Sequence, residues 1–181
     1  MLFFEPSTIV AVVPFAYKEG RAVQVEAKLQ EMGLELPAPL KIPPGFTIPF
    51  SWTRVRGNRV YISGHGPLES DGTYSGPSGK VPSEVSLEEA QQVARKVALA
   101  MLSSLKRELG DLDRVTAWLM VTGMVNADLG YPQTTLAING FSELILELYG
   151  PEVGQHARTA AGMTALPANS PVIVAAEVEF E

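Results

Sequence analysis

The chain has 181 residues, 46% of them hydrophobic and 19% charged, and 14 Lys+Arg against 20 Asp+Glu leave a formal net charge of −6. That is one domain with enough apolar material for a core, which excludes intrinsic disorder, and the acidic balance argues against a protein built to grip phosphate backbones. The chain has no cysteine, which removes disulfide scaffolds, thiol nucleophiles, thiolate zinc sites and iron–sulfur clusters. With only two histidines a His-rich metal centre is not expected either. No cofactor is expected, and a cytoplasmic setting is implied.

Residues 1–20 read as an N-terminal arm. Their apolar run Ile9–Val13 is bounded by Pro6 and Pro14, far short of the ~20 residues a membrane span needs. No basic segment of a secretory leader precedes it. Residues 21–45 read as a helix plus a proline-rich lead-in. Val25, Leu29 and Met32 recur at helical spacing before Gly33, and Pro37, Pro39, Pro43, Pro44 and Pro49 then impose an extended connector.

Residues 46–181 form the main domain. Gly57-Asn58 between residues 51–56 and 59–63 is a two-residue hairpin signal. A Gly- and Pro-rich loop follows over 68–85. Ser86-Leu87-Glu88-Glu89 is a capping box opening a helix to Leu109, with Gly110 as its stop. Residues 114–125 predict a strand. Gln133–Tyr149 predicts a second long helix, with Leu136, Phe141, Leu144, Ile145 and Leu148 inward and Gly150-Pro151 ending it. Strands follow at 156–166 and 172–180. The order β-β-α-β-α-β-β specifies an α+β domain, two long helices on one face of a mixed sheet.

The strand at 114–125 is apolar on both parities, and so is Val172–Ala176. Strands of this kind are buried on both faces. Two helices cover one face only, so the other face calls for another subunit.

Generic catalytic motifs fail on their spacing. Gly79-Lys80-Val81 lacks the upstream glycine and the hydroxyl of a phosphate loop. Ser63 and His65 sit at i and i+2, but a nucleophile elbow would need glycine where Tyr61 stands. Arg158, opening a largely apolar strand in His156-Ala157-Arg158-Thr159-Ala160, is different. A guanidinium holds a planar carboxylate through two parallel N–H bonds. It equally serves to cap a carbonyl or pair with a structural acid, and both readings stand at this point.

Four segments occur in the order and spacing of the reactive intermediate deaminase (RidA/YjgF) family, also known as endoribonuclease L-PSP. They are Tyr61-Ile62-Ser63-Gly64-His65-Gly66-Pro67, the capped helix from Ser86, Gly110-Asp111-Leu112-Asp113-Arg114-Val115, and His156–Ala160 followed by Ala165-Leu166-Pro167. The helix-plus-proline lead-in resembles a longer branch of that family. The resemblance implies a chorismate mutase-like fold, a homotrimer with pockets between subunits, and cofactor-independent hydrolysis of small imines and enamines to 2-keto acids. It places Arg158 on the arginine that clamps the substrate carboxylate. Ser63 falls on a pocket serine and Asn139 on an asparagine of the second helix. Phe50 stands where characterised members have a pocket tyrosine, and Ile173 where they carry the glutamate that handles water. Glu177 is on the same strand parity as Ile173, roughly 13 Å along at ~3.3 Å per residue.

Two functions follow for that pocket. One is imine hydrolysis, with Arg158 holding the carboxylate, Ser63 orienting the imine carbon and His65 assisting proton transfer. The other is binding or sensing of a small carboxylate without turnover. The ribonuclease reading is disfavoured by the acidic composition.

Overall fold

The computed structural model describes residues 24–181, so the arm at 1–20 lies outside the described residues. Its elements are α1 (Val25–Glu31), β1 (Thr53–Arg56), β2 (Arg59–His65), α2 (Leu87–Leu109), β3 (Val115–Asn126), α3 (Thr134–Ala137), α4 (Asn139–Gly154), β4 (Ala157–Met163) and β5 (Val172–Phe180). The capping box forms as its residue types dictate. Glu89 N–H donates to Ser86 Oγ, Ser86 N–H donates to the Glu89 carboxylate, and Gly110 ends α2 at φ 79°.

The five strands are ordered β1-β2-β5-β3-β4, with β3 and β4 parallel and every other pair antiparallel. The sheet is therefore mixed and the fold α+β. Ladder register sorts side chains to two faces. Val60, Ile62, Val121, Val174, Ala176 and Val178 lie toward the helix layer and are buried. The opposite face carries the row Arg54–Tyr61–Glu177–Met120–Ala157, with Tyr61 45% and Met120 41% exposed. This chain covers one sheet face and leaves apolar groups on the other.

The second long helix differs from its sequence reading. It begins as the separate single turn α3, and Leu136, expected inward, is 40% exposed there. Gly150 at φ 75° kinks α4 instead of ending it. Pro151 opens the next turn, where its missing N–H has no intrahelical acceptor to lose.

Close backbone approach fixes the start of α4. A Cβ at Gly140 would lie 2.0 Å from the Gln91 carbonyl oxygen of α2, and one at Gly123 would lie 2.5 Å from the Ile138 side chain. Asn139 is thus held between two residues that have no room to shift.

The proline-rich lead-in is strapped to the domain. Val25 and Leu29 are core residues, 0% and 3% exposed. Ser103 Oγ donates to the Pro37 carbonyl at 2.6 Å, and the Ala38 and Lys41 N–H groups donate to the carbonyls of Ser70 and Gly72. No helix among the described residues is long and apolar enough to cross a membrane.

Candidate functional site

Arg158 lies on the edge strand β4, paired in register with Val121 and therefore directed to the helix layer. Its Nη1 donates to Ser142 Oγ at 2.9 Å, and its Nη2 donates to Asn139 Oδ1 at 3.0 Å and to the Thr135 carbonyl at 3.1 Å. These bonds engage three of the five guanidinium N–H donors. The structure thus brings Arg158 and Asn139 together. It also shows the carbonyl-capping role that the sequence left open. Burial lowers the guanidinium pKa from its usual value, against the raising effect of Glu143, and the group stays charged.

Ser142 has a second partner. His156 Nδ1 lies 2.8 Å from the Gly154 carbonyl oxygen, so that nitrogen carries the proton and donates. The other ring nitrogen, Nε2, is left as an acceptor 2.9 Å from Ser142 Oγ. The result is a directed chain in which Arg158 donates to Ser142 and Ser142 donates to His156. Burial, with the Arg158 charge adding to it, lowers the His156 pKa below 6.5, against the raising effect of the Gly154 carbonyl.

Phe50 and Ser63 meet elsewhere, in a groove of about 600 Å³ on the uncovered sheet face, lined also by Arg54, Tyr61, Thr122 and Glu177. Ser63 Oγ donates to the Ser51 carbonyl at 2.7 Å and keeps its lone pairs for another donor. Phe50 is 54% exposed at the rim. Glu177 is ion-paired to Arg59 at 2.9 Å, whereas Arg54 makes no ion pair among the described residues. The groove therefore keeps a positive charge. β2 and β4 are three strand positions apart, about 14 Å at ~4.8 Å per step. Within one chain the Arg158–Asn139 pair and the Phe50–Ser63 groove do not meet.

His65 stands apart from both. It is 4% exposed, with Nδ1 on the Ser63 carbonyl at 2.7 Å and Nε2 on Ser104 Oγ of α2 at 2.8 Å. Arg107 donates to the same Ser104 hydroxyl at 2.8 Å. Burial pushes the imidazole down to about 4. Ile173 lies on the uncovered face, where a Cβ on Gly64 would be 3.0 Å from its side chain. No carboxylate is interposed at that contact.

Arg54, Tyr61, Ser142 and His156 were not singled out by sequence reasoning. Arg54 and Tyr61 were legible in principle, because the Gly57-Asn58 turn sets them opposite each other. Ser142 and His156 meet only through the α4 kink. Glu26, Asp111 and Asp113 also cluster, within 4.8 Å. Their oxygens accept the Leu112, Asp113 and Val25 N–H groups and receive Lys106, as fits chain capping.

No family model matches the chain. It is 34% identical over 157 residues to Protein TCP17 of Trypanosoma cruzi, covering 87% of this chain and 94% of that protein. The crystal structure of Atu1372 from Agrobacterium tumefaciens, a protein of unknown function, is 32% identical with a TM-score of 0.77, covering 87% and 92% of the two chains. A Shewanella oneidensis protein described as a candidate endoribonuclease shares the fold at TM-score 0.77 and 24% identity, over 87% and 99% of the two chains. This chain belongs to the RidA/YjgF family. In this chain Arg158 is anchored on α4 with a histidine–serine pair behind it, and phenylalanine and isoleucine stand at positions 50 and 173.

Proposed function

We propose that this RidA/YjgF protein is a homotrimeric imine deaminase-type hydrolase that binds small 2-imino and 2-oxo carboxylates in a pocket between subunits. The observation that carries the reading is the split between two incomplete halves. Arg158 is held in one orientation at one edge of the sheet. An uncovered groove with Ser63, Tyr61 and Arg54 lies at the other. A closed ring of three subunits sets the β4 edge of one beside the groove of the next and covers the apolar sheet face. Arg158 retains two N–H donors for a carboxylate, and exchange of the Thr135 carbonyl or Asn139 for the ligand adds a third.

The test is sedimentation together with calorimetric titration of 2-oxobutyrate. A trimer that binds 2-oxobutyrate, and loses binding in Arg158→Ala while staying trimeric, supports the proposal. A stable monomer, or unchanged affinity in a folded Arg158→Ala variant, overturns it.

A second reading, RNA binding at the β1–β2 hairpin, is favoured by one observation. Arg54 and Tyr61 are register partners, and Arg56 and Arg59 close the same hairpin, so cations and an aromatic ring share one surface. Aromatic–Arg surfaces of this kind stack single-stranded bases. Salt-dependent binding of an oligonucleotide, lost in Arg54→Ala, would favour it over the deaminase reading.

A further inference from the structure

We propose that Ser142 and His156 are the proton-handling pair of the Arg158 site, supplying the function for which position 173 holds no acid. The inference rests on the deaminase reading above and adds to it the residues that move the proton.

The argument begins with direction. The Gly154 carbonyl only accepts, so His156 Nδ1 must be the protonated nitrogen and Nε2 the basic one. That basic nitrogen points at Ser142 Oγ, 2.9 Å away. Arg158 donates to the same oxygen at 2.9 Å. The hydroxyl that touches the carboxylate clamp is therefore backed by an oriented base, the arrangement general-base catalysis requires. Access separates this pair from the similarly wired His65. His65 is 4% exposed beneath α2, whereas His156, Ser142 and Arg158 are all half-buried at the sheet edge.

The step balances without a co-reactant other than water. Water adds through oxygen to the iminium carbon. As the C–O bond forms, one water proton passes to Ser142 Oγ and the Ser142 hydroxyl proton to His156 Nε2. The imidazolium returns that proton by the same route to the carbinolamine nitrogen. The C–N bond breaks, its electron pair leaving with ammonia. The carbonyl forms from the remaining hydroxyl, whose proton leaves with the ammonia as ammonium. Ser142 meets the water, and His156 acts through it as a positioning residue.

The charged group acting on His156 is Arg158 on β4, and Glu143 on α4 acts in turn on Arg158. Ser142, Phe141 and the Gly154 carbonyl, which also contact the ring, are uncharged. Base catalysis needs the neutral ring, so turnover rises with pH through an inflection below 6.5, on the side to which burial shifts this group.

The experiment measures ammonia release from 2-iminobutyrate generated in situ, as kcat and KM across pH, beside 2-oxobutyrate titrations and thermal melts. His156→Gln keeps an acceptor for Ser142 but cannot take a proton. It is expected to lower kcat about 100-fold, leave KM within about threefold and erase the inflection. Ser142→Ala leaves Arg158 with Asn139 and Thr135, and the same loss is expected. A purely structural pair would instead raise KM or lower the melting temperature and leave the inflection in place. Wild-type kcat with an unchanged inflection in either folded variant overturns the relay alone. Wild-type protein that binds 2-oxobutyrate without releasing ammonia overturns the relay and the hydrolase reading together and leaves the carboxylate-binding site standing. Protein that neither binds nor releases overturns that site as well.

Discussion

The two histidines of this chain are wired alike and sit in opposite surroundings. Each directs Nδ1 to the carbonyl two residues before it and Nε2 to a helix serine that also receives an arginine: Ser104 and Arg107 for His65, Ser142 and Arg158 for His156. His65 is sealed between the sheet and α2, against the Trp52 ring at 5.1 Å. His156 stands at the edge strand, against Phe141 at 6.5 Å. The hydrogen-bond pattern alone therefore does not mark a site. The same donors and acceptors hold a fold together where water is excluded, and stay available for chemistry where one side is open.

Substitution breaks this comparison most sharply at the core member. His65→Ala strands the buried Ser104 hydroxyl and leaves a cavity, a loss of roughly 3 kcal/mol. His156→Ala, at a half-buried position beside the half-buried Ser142, is expected to cost less than about 1 kcal/mol. Urea denaturation of both variants measures the difference, and equal losses would erase the distinction.

Acid titrates the same contrast. His65 titrates at about 4 in the folded chain and at 6.5 unfolded. Between those values the unfolded state binds the extra proton, so stability falls as pH falls, by roughly 3 kcal/mol over the whole window. His65→Gln should flatten that slope in denaturation curves at pH 6.5 and 4. His156→Gln should leave most of it.

The two arginines sharpen the comparison further. Arg158→Ala is expected to weaken 2-oxobutyrate ten- to a hundredfold, on a charge-assisted pair of ~1.5–3 kcal/mol. Arg158→Lys recovers only part, since an ammonium lacks the planar fork. Arg107→Ala should leave affinity alone and lower the melting temperature. Calorimetry and thermal melts on the three variants decide it.

The smallest effect concerns the groove. Phe50→Tyr adds a hydroxyl to a ring that is 54% exposed and should change stability by less than about 0.5 kcal/mol. An affinity gain in its titration would then report the groove itself.

Much of this was legible in the sequence because local rules govern it. The capping box at Ser86, the Gly57-Asn58 hairpin, the glycine stop at 110 and the apolar parity of β3 and β5 each depend on neighbours a few residues away. The family segments likewise located Arg158 and Asn139, which the structure joins at 3.0 Å. A net charge of −6 averages over the surface and does not reveal that Arg54, Arg56 and Arg59 gather on one hairpin. What only the tertiary structure decided is which polar groups face which layer. The bulge between Ile62 and His65 turns His65 toward α2, and the parallel register of β4 turns Arg158 toward α4. The kink at Gly150 carries the chain back so that His156 reaches Ser142. Those contacts span elements distant in the chain, where no local preference acts and packing of one layer on another sets the partner.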